Sequence, residues 1–276
     1  MTGGPARRRR PRAVPVILAA VIVAAAVVVV LKLAGGGPAA PAASCPASAA
    51  PMSSFVPAFF EPADWARAHA GGQAPAVMIL NPASGPGTAP DAALQAAARK
   101  ARAAGARIIG YIGTNYSALP SAQAEAQIRD YQAWYHVGGI FLDQTPTQGS
   151  AQLGYYQDLA TYIHQNISGG VIWINPGTVP DRSYLSVASV VMIFEGSWAG
   201  YQHLTLPAWV RSYPAGRFAH TIYATPASAV GSAVRLARSR HAGYLYLTPD
   251  SGSDPYDALP AYWAQERAAV AAACPR

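Results

Sequence analysis

Two carboxylates stand where otherwise apolar runs stop. Gly138 to Gln144 reads GGIFLDQ and delivers Asp143, and Val190 to Gly196 reads VVMIFEG and delivers Glu195. Short apolar runs of this kind are what strands buried on both faces look like, so each acid is expected at a strand's C-terminal end, emerging into a site. Two facing carboxylates suit cleavage of a glycosidic bond. One protonates the leaving oxygen while the other attacks or activates water, at about 5 Å for retention of configuration and about 6.5 to 9.5 Å for inversion. We read Glu195 as general acid/base and Asp143 as nucleophile or electrostatic stabiliser; the pattern also permits the reverse.

Sugars bind flat apolar faces beside hydrogen-bonding amides. Tyr111, Tyr116, Trp198, Tyr201 and Tyr223 are candidate platforms, and Asn81, Gln144 and Asn175 candidate hydroxyl partners. The same residue types have structural uses. Asp143 could equally cap a following helix or pair with an arginine, and Asn81 and Asn175 each precede a proline and could simply fold a turn. The aromatics could all be core. Glu195 fits a cap less well, because Gly196 follows it and no helix starts at once. The six histidines lack metal-ligand spacing, and His220 reads as a core or rim histidine. The chain shows no GxSxG elbow, P-loop or other nucleotide or flavin motif, so no cofactor is expected. The arginines at 235, 238 and 240 read as a solvated helix face.

The elements that must position these residues alternate. Strands are expected at 55–60, 76–81, 107–113, 138–143, 171–175, 190–195, 218–223 and 243–248. Helices fall between them, near 62–70, 90–104, 121–135, 152–166, after Pro180, within 197–213, at 227–240 and at 256–273. Eight alternations with short loops predict a (β/α)8 barrel, in which functional residues gather at the strands' C-terminal ends. If Asp143 faces inward, Phe141 does too, while Ile140 and Leu142 face the helices.

The chain has 276 residues and a formal charge of +7, but Arg7, Arg8, Arg9, Arg10, Arg12 and Lys32 account for most of it. The remainder is nearly neutral, which argues against a nucleic-acid groove. Residues 1–12 read as a basic cytoplasmic tail and 13–33 as a membrane-spanning anchor, with 34–53 a Pro/Ala/Gly-rich linker and 54–276 the barrel domain. The barrel is then extracytoplasmic, or secreted if the anchor is cleaved. Cys45 and Cys274 flank the exported part; a bridge between them would be worth roughly 5 kcal/mol in the chain-entropy model, and two unpaired thiols are the alternative.

The motifs VPAFFEP, ILNPASGPG, IIGYIGTNY, WYHVGGIFLDQ, INPGTVPDRSY, VMIFEGS and LYLTPDSGSDPYDALPAYW resemble the spherulin 4 (spherulation-specific family 4) proteins in this order, over about residues 54–264. That family is similar to fungal polysaccharide hydrolases acting on galactosaminogalactan. The resemblance implies a (β/α)8 glycoside hydrolase fold and an N-acetylgalactosamine-containing polysaccharide as partner. It places the family's aspartate on Asp143 and its glutamate on Glu195. The chain departs from the pattern at Gln144, where the family commonly has a glutamate, and at Asp254, where it has an asparagine. If the missing glutamate is essential, the barrel binds carbohydrate without cleaving it.

Overall fold

The computed structural model describes residues 51–72 and 74–272. The anchor assigned to 13–33, Cys45 and Cys274 lie outside the described residues. Among those residues no helix is long and apolar enough to cross a membrane, and no group of three histidines, cysteines or acids could hold a metal.

Eight parallel strands close on themselves in chain order: β1 (Ser53–Ala58), β2 (Val77–Leu80), β3 (Arg107–Gly113), β4 (Gly139–Asp143), β5 (Val171–Ile174), β6 (Val190–Ser197), β7 (Phe218–Tyr223) and β8 (Tyr244–Leu247). Their composition explains the closure, since strands apolar on both faces need a packed interior on one side and helices on the other. The helices are α1 (Pro62–Ala68), α2 (Ala92–Ala103), α3 (Ser121–Tyr135), α4 (Ser150–Asn166), α5 (Trp198–Gln202), α6 (Val230–Ser239) and α7 (Trp263–Ala272). A short 3₁₀ turn, Arg182–Ser186, stands where a helix would separate β5 from β6.

Local chemistry sets the boundaries. Asp91 caps α2 by accepting hydrogen bonds from the amides of Ala93 and Leu94. Gly105, at φ 102°, ends the same helix with a conformation that side chains resist. Gly110 is needed for packing. A Cβ there would stand 2.5 Å from the ring of Tyr131, whose hydroxyl crosses from α3 to donate to the Leu80 carbonyl.

The interior is aromatic. Phe55 on β1 meets Trp173 on β5 across the barrel at 5.3 Å, and Trp173 meets Tyr244 on β8 at 4.7 Å. Strand register puts Tyr111 beside Phe141 and Gly113 beside Asp143, so Phe141 and Asp143 share the inner face as the alternation predicts.

Strand β6 departs from strict alternation. Met192 pairs with Ala219 and Phe194 with His220, so Ile193 is an extra residue on the β6 side. Without that bulge Met192 and Glu195, three positions apart, would face opposite ways. With it, both line the barrel mouth, while Phe194 turns outward onto Tyr201 at 4.8 Å. One inserted residue aims the acid inward.

The C-terminal region differs from the expectation of a helix from 256. Helix α7 begins only at Trp263, and Tyr256–Pro260 is a loop, with Pro260 accepting from the Trp263 amide. The loop carries Tyr256 over the barrel instead of along its side.

Candidate active site

At the C-terminal mouth a cavity of about 40 Å³ is lined by Tyr111, Phe141, Asp143, Asn175, Glu195 and Tyr256, among others. Asn175, the residue just past β5, organises it. Its Nδ2 donates to Asp143 Oδ1 at 2.8 Å and to Glu195 Oε2 at 2.5 Å, while its Oδ1 accepts from the Gly177 amide at 2.9 Å. The last contact fixes which way the amide points. Because both carboxylates meet one nitrogen, their facing oxygens lie within about 5.3 Å of each other, the two distances laid end to end.

Each outer oxygen has its own phenol. Tyr111 donates to Asp143 Oδ2 at 2.7 Å, and Tyr256, only 8% exposed, donates to Glu195 Oε1 at 2.6 Å. Burial raises the Glu195 pKa above the usual carboxylate range. Hydrogen bonds from Tyr256 and Asn175 oppose that rise, and the Asp143 charge adds to it. Both phenols are themselves pushed up, first by burial and then by the carboxylates beside them, so they remain donors.

The loop after β3 is stitched to the end of β4. The Thr114 amide and hydroxyl both donate to the Asp143 carbonyl, at 3.0 and 2.7 Å, and the hydroxyl also reaches the Gln144 carbonyl. The Tyr116 amide donates to that Gln144 carbonyl at 2.8 Å. Thus the backbone of Asp143 is held from a neighbouring loop.

The structure gathers Tyr111, Asp143, Asn175 and Glu195 in the cavity, while Gln144 and Tyr116, both exposed, lie on the loops after β4 and β3 and are not part of its lining. Tyr223 lies near Tyr256, close enough to disfavour ionisation of its phenol. Three candidates fall outside the cavity lining. Tyr201 is fully buried, its hydroxyl 2.6 Å from His220 Nδ1, because α5 turns outward past the bulge and packs against β7. Trp198, on the same helix, lines an outer groove with Gln202 and Arg235. Asn81 spends its Oδ1 on the Gly85 amide at 2.9 Å and folds the Asn-Pro turn. Of the arginines read as a solvated face, Arg240 instead stacks over the Tyr201 ring at 4.8 Å and donates to the Tyr201 and Gln202 carbonyls. His220 is a core histidine, its pKa driven down to about 3 chiefly by burial.

Tyr256 is the residue that strand-end reasoning missed. Its signal was the DPYD stretch after β8, a tyrosine in a loop rich in proline, glycine and aspartate.

The model of Spherulin4, spherulation-specific family 4, matches residues 55–270. Spherulin-4 of Physarum polycephalum is 30% identical over 206 residues, which are 70% of this chain and 61% of that protein, so the chain spans less than two thirds of this relative. Among solved structures, Aspergillus clavatus Sph3 in complex with GalNAc is 25% identical with a TM-score of 0.69, covering 80% of this chain and 98% of that one.

Proposed function

The chain belongs to spherulation-specific family 4, and we propose that it is a retaining glycoside hydrolase acting on an N-acetylgalactosamine-containing polysaccharide. The observation that carries this is the bridge from Asn175 Nδ2 to both carboxylates. Facing oxygens no more than about 5.3 Å apart lie below the roughly 6.5 to 9.5 Å of inverting enzymes, which favours retention. The GalNAc bound in Sph3 supports the substrate class.

The chemistry follows from the two environments. Glu195, whose pKa burial raises, protonates the leaving oxygen while Asp143 attacks the anomeric carbon and forms a glycosyl-enzyme. Glu195, now ionised, takes a proton from the incoming water, which displaces Asp143 and restores both groups. Tyr111 and Asn175 hold the Asp143 oxygens on line throughout, and Tyr256 holds Glu195. The apolar floor of Phe141 and Met192 keeps bulk water from the carboxylates. Residues 13–33 would tether this barrel to a membrane on its outer side.

Incubating the protein with N-acetylated and de-N-acetylated galactosamine polymers, with product followed by mass spectrometry and the anomeric configuration by NMR, tests the proposal. Oligosaccharides of retained configuration are expected, and they disappear in folded Glu195→Gln and Asp143→Asn variants. Turnover unchanged in both variants overturns it. Gln144 favours a second reading, a barrel that binds the glycan without cutting it, which predicts saturable binding and no product.

A further inference from the structure

The chain holds three consecutive side-chain-bearing residues in the left-handed region just beyond β3: Asn115 at φ 46°, Tyr116 at φ 56° and Ser117 at φ 72°. Left-handed backbone disfavours any residue with a Cβ, and a run of three is a full turn of the wrong hand. Such strain persists only where the surroundings impose it, and it concentrates at functional sites. Here the clamp is the hydrogen bonding of Thr114 and Tyr116 to the Asp143 and Gln144 carbonyls, backed by a buried 2.8 Å contact between the Thr114 and Tyr156 hydroxyls. Gln144 is itself left-handed, at φ 54°. The strain has one visible product. Tyr116 stands 61% exposed, and among the described residues no other large apolar side chain is so displayed.

Its position matters because the cavity is small. At about 40 Å³ it is far below the roughly 300 Å³ at which small-molecule pockets begin and holds no chain of sugar rings. Most of a bound chain must therefore rest on the rim. Gln144 Oε1 and Tyr111 Oη both lie 3.5 Å from the place a Cβ would occupy on Gly113, so the Gln144 amide stands within about 7 Å of the phenol that holds Asp143. Gln144 follows Asp143 directly, and the Tyr116 amide is bonded to the Gln144 carbonyl, so the two exposed residues are neighbours at the end of β4. An amide followed by an exposed aromatic face is the pairing that a pyranose recognises, hydroxyls to the first and C–H face to the second.

We infer that Tyr116 and Gln144 form an outer subsite for the sugar unit adjoining the one in the cavity, with the left-handed turn serving to hold the tyrosine ring out on the rim. This rests on the glycan reading of the mouth. It also gives Gln144 a task that needs no charge, which is to offer both a donor and an acceptor to neutral hydroxyls.

The test is calorimetric titration of the full chain, in a Glu195→Gln background that prevents turnover, with N-acetylgalactosamine and its oligomers of two to five units. Affinity should rise with length, by tenfold or more between monomer and trimer. Tyr116→Gly should lower trimer affinity about tenfold and monomer affinity less than twofold, while Tyr116→Trp retains the length dependence. Because glycine is at ease where Tyr116 is strained, Tyr116→Gly should melt no lower than its parent, which separates a binding role from a structural one. Equal losses at every length, or none, overturn the subsite alone. A parent that binds no oligomer overturns the glycan reading and the subsite with it.

Discussion

Asn175 donates both hydrogens of one amide nitrogen to the two acids, Asp143 on one side and Glu195 on the other, so a neutral amide sets the distance between the two carboxyl groups. That arrangement keeps two carboxylates close without a cation. Asn175→Ala should therefore lower kcat by about a hundredfold, near 2.7 kcal/mol of barrier at 1.36 kcal/mol per tenfold, with KM less affected. Asn175→Asp should be worse, since it sets a third carboxylate between two others. Steady-state kinetics on folded variants decides, and a kcat within threefold of wild type for Asn175→Ala would refute the bridging role.

Tyr256 tunes the acid that it touches. Its hydrogen bond lowers the Glu195 pKa against the upward push of burial. Removing it in Tyr256→Phe should let that pKa rise further. A general acid must be protonated to work, so the alkaline limb of kcat/KM should move to higher pH while the rate at the optimum falls about tenfold. A limb that stays in place, with only the rate reduced, would make Tyr256 a binding residue instead.

These two residues show what the sequence could and could not convey. The eight strands were legible because each is an apolar run bounded by turn residues, and Asp143 and Asn175 were legible because they close such runs in phase with strict alternation. Glu195 was found by the same rule, yet alternation counted back to Met192 would have turned it away from the cavity; the bulge at Ile193 depends on pairing with β7, which one strand's sequence does not reveal. Trp198 and Tyr201 looked like rim aromatics because they follow Glu195 closely, and their removal to the outer layer is a property of where α5 packs. Tyr256 reaches Glu195 across 61 positions from a loop that helical periodicity had absorbed into α7. Contacts of that separation are set by the closed barrel and not by local pattern.

Helix α7 brings a second buried acid, away from the mouth. Strand β8 pairs with β1 only at Tyr244 and Leu245, and the Leu247 amide beyond that ladder is met by Glu266 Oε1 at 3.2 Å. Glu266 is fully buried, its other oxygen has no partner among the described residues, and burial raises its pKa well above 4.5. The folded state thus binds this proton more tightly than the unfolded chain does. Stability from this group is complete below the unfolded carboxyl pKa and declines as pH rises toward the folded value. Glu266→Gln keeps the acceptor for Leu247 and cannot ionise. Its melting temperature should match wild type below the unfolded carboxyl pKa, about 4.3, and exceed it by a margin that widens as the pH rises above that value. A margin independent of pH would show that ionisation of Glu266 plays no part.

Gln144 occupies the position where the family commonly carries a glutamate, and its placement bears on whether catalysis survives. The two acids joined through Asn175 are Asp143 and Glu195, and Gln144 is exposed on the rim outside that bridge. A carboxylate there would be solvated and screened, so Gln144→Glu adds little to a reaction already served by the inner pair. It should change turnover of the polymer by less than tenfold while altering affinity for the glycan chain, since a charged acceptor replaces an amide that both donates and accepts. Wild type and Gln144→Glu compared on the same polymer, with product and binding measured separately, distinguish the cases. Product from Gln144→Glu alone would mean that the family's second acid is indispensable and that this barrel has become a carbohydrate-binding one; product from both would place the chemistry on Asp143 and Glu195.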